Sequence, residues 1–336
     1  VDSITQFALG AAVGVAAMGR RVPVRRAALW GGVCGTLPDL DALIPFGDPI
    51  ADMTFHRADS HALFWLTLAA PGIAWAIARV HREPGLWRAW WFAVWAVLVT
   101  HVLLDAMTVY GTQLLRPFSD HPFGVGSVFI IDPLYTLPLI AGTVVAMRVR
   151  GARGLRWNTI GLAASTAYLA WGVVAQAHVR GVAHEALAAQ GIAAERVLVT
   201  PTPFNTVLWR VVAMTPYGYH EGFRSLLDRG PSMHFDRFDR GAALRPAVAG
   251  LWGADRIAWF SRGFFALSDS GGRVAITDLR MGLEPNYTFS FALAERSGDT
   301  WTPLRPSVPV GGRADLRRGL AWLGPRMLGR QLPPPR

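Results

Sequence analysis

Ala89 to Tyr110 reads AWWFAVWAVLVTHVLLDAMTVY, 22 residues in which the strongly ionisable side chains are His101 and Asp105. A helix needs ~20 apolar residues to span a bilayer core, so this stretch is long enough to cross. Tryptophans at its start suit a membrane–water boundary. A buried helix in a soluble protein would have the same composition, and the neighbouring runs decide between the two. Five more apolar runs flank it: Ile4 to Gly19, Ala27 to Phe46 (interrupted by Pro38-Asp-Leu-Asp41), His61 to Ala78, Val128 to Met147 and Trp157 to Ala177. The first two are short or carry charge and are expected to enter the membrane only partly. The pattern predicts a mainly α membrane domain of about six helical segments over residues 1–177.

The charges support that reading. With 51% hydrophobic and 17% charged residues among 336, the chain is neither disordered nor an ordinary soluble protein. All 33 basic residues are arginine, and 23 acids leave a net charge of +10. Such an excess raises nucleic acid as a partner only if the arginines share a polar face. In the membrane half they do not: Arg20, Arg21, Arg25, Arg26, Arg79, Arg82, Arg88, Arg148, Arg150, Arg153 and Arg156 fall in alternate loops. Positive residues collect in cytoplasmic loops, so this alternation predicts six segments in a bacterial cytoplasmic membrane, with both ends of the bundle on the non-cytoplasmic side. No nucleic-acid partner is expected. The first run lacks a preceding basic stretch and a convincing cleavage site, so a cleaved signal peptide is not expected. The single cysteine, Cys34, excludes an intrachain disulfide and any Cys-based zinc site.

Beyond residue 177 the pattern changes. His178 to Gln190 is Ala-rich and helical, and short alternating runs follow at Val197–Thr200, Val207–Ala213, Ile257–Phe260, Phe264–Leu267, Val274–Thr277 and Tyr287–Ala292. Ser268-Asp-Ser-Gly-Gly272 is a hairpin signal between two of them. Residues 178–330 are thus expected to form a soluble, strand-rich α+β domain, and the proline-rich tail 331–336 to be disordered.

Ionisable residues at membrane depth are expensive and are functional candidates. Here they share one predicted side: Asp39 and Asp41 end the second segment, His56 and His61 open the third, His101 and Asp105 close the fourth, and Asp132 begins the fifth. His101 and Asp105, at i and i+4, lie on one helix face and suit one cation or two adjacent ones. Asp39 and Asp41, at i and i+2, diverge on a regular helix, but Pro38 predicts a break where both can converge. Asp59 or Ser60 is expected to cap the third segment. Asp39, Asp41, His56, His61, His101 and Asp105 are therefore candidate ligands of one or two divalent metal ions, the mixed N and O donors suiting zinc, manganese or iron rather than calcium. Asp41 or Asp132 is the candidate general base, while Asp132 also reads as an outer carboxylate or a helix cap. Arg57 and Arg116, the only arginines on that side, are candidate anion holders, and Tyr110, Thr112 and Gln113 add polar groups just after the His101/Asp105 unit.

These elements, in this order, resemble the YdjM-like family of membrane-bound, metal-dependent hydrolases. The matching stretches are Asp2-Ser-Ile-Thr-Gln-Phe-Ala-Leu-Gly10, Leu37-Pro-Asp-Leu-Asp41, His56-Arg57 with Ser60-His61, His101 to Asp105, Tyr110-Gly-Thr-Gln113 and Ile131-Asp-Pro-Leu-Tyr135. The similarity covers about residues 1–148. The C-terminal part looks like the extra domain of a long-chain branch. The resemblance implies an inner-membrane protein with hydrolase activity and a metal-site pattern similar to zinc-dependent phospholipase C and P1-type nucleases. Many members carry Thr-His where this chain has Thr5-Gln6, so the site is expected to have one ligand fewer, or Gln6 to bind substrate. The expected activity is metal-activated hydrolysis, zinc first among the metals, of a lipid-linked or phosphate-bearing substrate at the outer membrane face. A transporter using the same His/Asp cluster and a scaffold with a structural metal are the rival readings. Carrier sites usually lie near the bilayer midplane rather than at one boundary.

Overall fold

A computed structural model describes residues 1–312 and 315–336. The chain forms two compact units: Val1–Ile44, His56–Val173 and Pro203–Asn205 make the first, and Pro45–Phe55, Val174–Thr202 and Thr206–Arg336 the second.

The first unit is helical. It contains α1 (Ser3–Met18) and α2 (Val24–Thr36); α3 (Pro49–Phe55) belongs to the second unit. The first unit continues with α4 (Leu63–Val80), α5 (Trp87–Met107), α6 (Pro133–Arg148) and the first part of α7 (Ala152–Ala189). Asp2 caps α1, its carboxylate accepting from the backbone N–H groups of Ile4 and Thr5. Among the described residues, three helical stretches have the length and apolar character to cross a membrane: Leu63–Val80, Pro84–Met107 and Ala152–Ala189. The other expected segments are shorter, because the chain breaks them. Val128–Met147 is loop until Asp132, and Pro133 opens the 16-residue α6. The 13-residue α2 rises only about 20 Å at 1.5 Å per residue. The bundle core contains Val15, Met18, Ile77, Trp90, Val97, Leu98 and Val102.

Small residues bring α1 and α2 into backbone contact. A Cβ on Gly10 would lie 2.3 Å from the Gly31 carbonyl oxygen, one on Gly14 2.5 Å from that of Ala27, and one on Gly35 2.7 Å from that of Gln6. Gly10/Gly14 and Gly31/Gly35 are therefore paired small-xxx-small faces, the usual means of close helix approach in membranes.

The second unit is α+β. Strands β1 (Arg196–Pro201), β2 (Leu208–Met214), β3 (Gly218–Ser225) and β4 (Phe235–Asp239) form an antiparallel meander in sequence order. Four others, β5 (Phe265–Ser270), β6 (Arg273–Asp278), β9 (Ser290–Ser297) and β10 (Thr300–Pro309), form a second antiparallel sheet in the order β10-β9-β6-β5, and β7 (Gly282–Leu283) and β8 (Asn286–Tyr287) form a two-stranded ribbon. The expected hairpin at Ser268–Gly272 joins β5 to β6, with Gly271 and Gly272 both at positive φ. The latter part of α7 lays Ala175, Val179, Ala183 and Leu187 against Val199, Trp209 and Val211. Helix α9 (Leu316–Met327) puts Trp322 against Leu208 and Phe223.

Several expectations change. Ile257–Phe260 is not a strand but the end of α8 (Trp252–Phe260), where Gly253, Ala254, Ile257 and Phe260 are buried at helical rather than alternating spacing. β3 and β4 were not foreseen, since their sequences are polar. Glu221 of β3 is buried and accepts a 2.6 Å hydrogen bond from Arg210 Nε, whose other nitrogens donate to the Leu279 carbonyl and the Tyr287 hydroxyl. The division between the two units after Val173 lies close to the expected boundary at residue 177, but it falls within α7, which continues unbroken to Ala189. Segment 45–55 joins the second unit: Asp48 accepts from the Ser307 backbone N–H and hydroxyl, Ile50 is buried, and the Arg256 guanidinium lies 4.6 Å from the Phe55 ring centre. Residues 331–336 form no helix or strand, and Arg336 pairs with Asp236 at 2.6 Å.

Candidate metal centre

Four side chains from three separate stretches meet at one point. Pro38–Leu43 forms a 3-10 turn after α2 and carries Asp39; Asp59–His61 forms another before α4 and carries His61; His101 and Asp105 sit one turn apart near the end of α5. One donor atom from each of Asp39, His61, His101 and Asp105 lies within 4.8 Å of the other three. His61 Nε2 is 3.4 Å from Asp39 Oδ1, 3.2 Å from Asp105 Oδ2 and 3.2 Å from His101 Nε2, which is itself 3.4 Å from Asp105 Oδ2 and 3.7 Å from Asp39 Oδ1. Bonds of about 2.0–2.1 Å to a tetrahedral ion imply donor-to-donor edges of about 3.3 Å, close to these five distances.

The hydrogen bonding points the same way. His101 Nδ1 donates to the Gly35 carbonyl at 2.7 Å, so its neutral ring presents an Nε2 lone pair. Ser60 donates to Asp41 Oδ2 and lies 2.9 Å from His61 Nδ1, which directs His61 Nε2 to the cluster in the same way. Neither oxygen of Asp39 nor Oδ2 of Asp105 receives a hydrogen bond among the described residues, although all three are buried. Buried carboxylate oxygens without donors, facing two imidazole lone pairs, fit a divalent cation. His61, His101 and Asp105 are buried, and Asp39 is 16% exposed.

The other sequence candidates lie around this group. Asp41 is behind it, binding His56 Nδ1 at 2.8 Å, the Arg57 backbone N–H at 3.0 Å and Ser60, with Oδ2 3.5 Å from His61 Nδ1. Asp41 and His56 are thus an outer pair supporting His61, not members of the four-donor group. The reason is local geometry: the 3-10 turn points the two carboxylates in different directions. Ser60 is not a cap either, since Ala62 precedes α4 without a side-chain cap. Asp132 is outside the cluster. It caps α6, accepting from the Leu134 N–H at 3.0 Å and the Tyr168 hydroxyl at 2.8 Å, so its carboxylate is not positioned as a base.

Gln6 holds Asp105 with its amide nitrogen: its Nε2 donates to Asp105 Oδ1 at 3.0 Å, an oxygen that the Val1 amino group also contacts, while Gln6 Oε1 is buried and receives no hydrogen bond among the described residues. Arg57 is buried, with Nη2 3.3 Å from the same oxygen and its guanidinium 4.8 Å from the Tyr110 ring centre. Tyr110 also stands edge-on to His56. Thr112 is buried and bridges Phe123 through its backbone. The Gln113 N–H donates to the Arg57 carbonyl at 3.0 Å, and Arg116 binds Asp59 at 2.7 Å. Of the expected substrate contacts, Arg57, Tyr110 and Gln113 therefore brace the centre, and Arg116 is the more exposed cation.

The residue missed by sequence reasoning is Gly35. Its carbonyl orients His101, and its lack of a side chain lets α1 approach and deliver Gln6. The Gly10/Gly14 and Gly31/Gly35 spacing was the available signal.

The model of the YdjM inner membrane protein family matches residues 1–179. The chain is also 24% identical over 207 residues to the uncharacterized protein YfhP of Bacillus subtilis (strain 168), a match covering 60% of this chain and 59% of that protein. No solved structure matches. The family match spans more than half the chain and contains Asp39, His61, His101 and Asp105. The chain belongs to the YdjM inner membrane protein family.

Proposed function

We propose that the protein is a membrane-bound, metal-dependent hydrolase acting on a lipid-linked or phosphoester substrate at the outer face of the cytoplasmic membrane. The observation carrying this reading is the set of five donor distances between 3.2 and 3.7 Å among Asp39, His61, His101 and Asp105. The alternating arginines support the multi-pass arrangement and the outward face. Zinc suits two imidazoles and two carboxylates at this spacing. Such a cation supplies Lewis-acid polarisation of a scissile group and acidifies water.

The chain's own residues have distinct parts. Gln6 and Arg57 hold Asp105 by Oδ1 and leave Oδ2 for the cation. Asp41 holds His56 by Nδ1, and in this reading His56, 23% exposed, accepts or returns a proton at its other ring nitrogen. Asp39 marks the open side of the site, and Arg116 is the cation best exposed to an anionic substrate.

One observation favours a second reading: four protein donors resemble a closed, structural site more than a three-ligand catalytic one. Elemental analysis of purified protein, joined to hydrolysis assays on phosphodiesters and phospholipids, separates the two. Stoichiometric metal with chelator-sensitive hydrolysis, lost in His101→Ala, supports the hydrolase. Metal whose removal lowers the melting temperature without any hydrolysis returns the structural role, and wild-type protein free of metal refutes both.

A further inference from the structure

The second unit contains a pocket of about 720 Å³ whose walls are basic and aromatic. Arg196 begins β1, Arg240 follows β4, Arg245 sits in the 3-10 turn Ala242–Val248, and Arg262 follows α8. Tyr217, Trp259 and Phe265 supply the pocket's aromatic walls. Among the described residues the pocket holds one carboxylate against four guanidiniums: Glu195, 3.8 Å from Arg240 Nη1. Arg240 is buried, anchored to the Thr215 carbonyl at 3.0 Å, and its guanidinium lies 5.5 Å from the Phe265 ring centre. Arg196 and Arg245 make no ion pair among the described residues.

The backbone admits this crowding. Gly263 is at φ +83°, and a Cβ there would stand 3.0 Å from Arg196 Nε, so glycine leaves room for that guanidinium. Burial, then Arg245 and Arg196, pull the Arg240 guanidinium below its ordinary pKa against the opposing pull of Glu195. Like charges gathered in a concave site attract a counter-charge from solution.

From this arrangement we infer that the pocket binds a phosphate-bearing ligand, the guanidiniums taking the phosphate and Tyr217, Trp259 and Phe265 the attached organic portion. Guanidinium forks match phosphate oxygens bidentately, and the volume falls within the usual range of small-molecule sites, well above the space a bare ion needs. The phosphate can come from a soluble ester or from a lipid headgroup.

The test uses the full chain in non-ionic detergent and phosphate-free buffer. Glycerol 3-phosphate and inorganic pyrophosphate are titrated calorimetrically into wild type and into the Arg196→Gln/Arg245→Gln variant, whose changed side chains are exposed. Binding to wild type weakened by about tenfold or more in the variant, with an unchanged melting temperature, is expected. Short-chain phosphatidylglycerol, with phosphatidylcholine as the comparison, is then added to the micelles. Competition by phosphatidylglycerol assigns the site to an anionic headgroup, and its absence assigns it to a soluble ester. No binding of either soluble probe to wild type, or equal affinity in the variant, overturns the inference.

Discussion

Replacing Asp41 with asparagine separates a ligand from a residue that orients one. Asp41 has no place among the four facing donors, yet it binds His56 Nδ1 at 2.8 Å, the Arg57 N–H at 3.0 Å and the Ser60 hydroxyl, which in turn meets His61 Nδ1. Asparagine keeps the size but has one acceptor oxygen, and its amide must turn an N–H toward a group that donates. His61 then loses part of the restraint that aims Nε2. Loss of an outer partner of this kind typically costs 10–100-fold in metal affinity, about 1.4–2.7 kcal/mol. His101→Ala removes a donor outright, and its loss is expected to exceed that range. Competition between the detergent-solubilised protein and a zinc chelator of known affinity measures both, with circular dichroism to confirm the fold. An Asp41→Asn protein that binds zinc as tightly as wild type refutes the orienting role. One that fails as completely as His101→Ala makes Asp41 a ligand and refutes the four-donor assignment.

Gly10→Ala forces its Cβ to 2.3 Å from the Gly31 carbonyl oxygen, and such overpacking is expected to destabilise by about 1–3 kcal/mol, read as a lower melting temperature together with weaker zinc binding. The control is Gly72→Ala in α4, where a Cβ meets nothing within 4 Å; it should be neutral or stabilising by up to about 1 kcal/mol. Asp48→Ala removes the two hydrogen bonds to Ser307 and the one from the Ile50 N–H, with an expected cost of about 1–2 kcal/mol. Burial raises the Asp48 carboxyl, but the Ser307 and Ile50 hydrogen bonds outweigh it and hold the pKa below the usual carboxylate value. Its contribution should therefore be full above pH ~4 and vanish as pH falls through the lower folded-state pKa, so wild-type and variant stabilities converge in acid. Arg210→Met removes the close partner of buried Glu221 and leaves only Arg336 at 3.6 Å among the described residues; it is expected to cost about 3–5 kcal/mol in thermal denaturation, whereas Arg210→Met with Glu221→Leu recovers much of it.

The legible parts of this fold were those whose signal is local. Asp2 caps α1, the Ser268–Gly272 turn joins two strands, and the long apolar stretch around Ala89–Met107 is a helix, each set by neighbours in sequence. Ile257–Phe260 was misread because four apolar residues have no period of their own; the burial of Gly253 and Ala254 one turn earlier makes it helical. β3 was hidden because Glu221 and Arg224 are buried with their charges met by Arg210 of β2 and by the carbonyls of the following turn, a compensation that composition does not reveal. The candidate site was legible as a set of residue types, since histidine and aspartate at the ends of apolar runs demand a partner.

Sequence alone therefore determined that Asp39, His61, His101 and Asp105 are functional candidates, that apolar helices precede a strand-rich region, and that arginine marks alternate loops. Tertiary structure decided the role of each side chain. It brought four donors to one point, set Asp41 and His56 behind them, turned Gln6 and Arg57 onto Asp105, and gave Asp132 to a helix cap. It also gathered four arginines, from β1, just after β4, a 3-10 turn and just after α8, into one pocket. Propensity and polarity act over a few residues and can be read along the chain. The direction of a side chain depends on the backbone turn that carries it and on groups a hundred residues away, and these meet only when the helices pack.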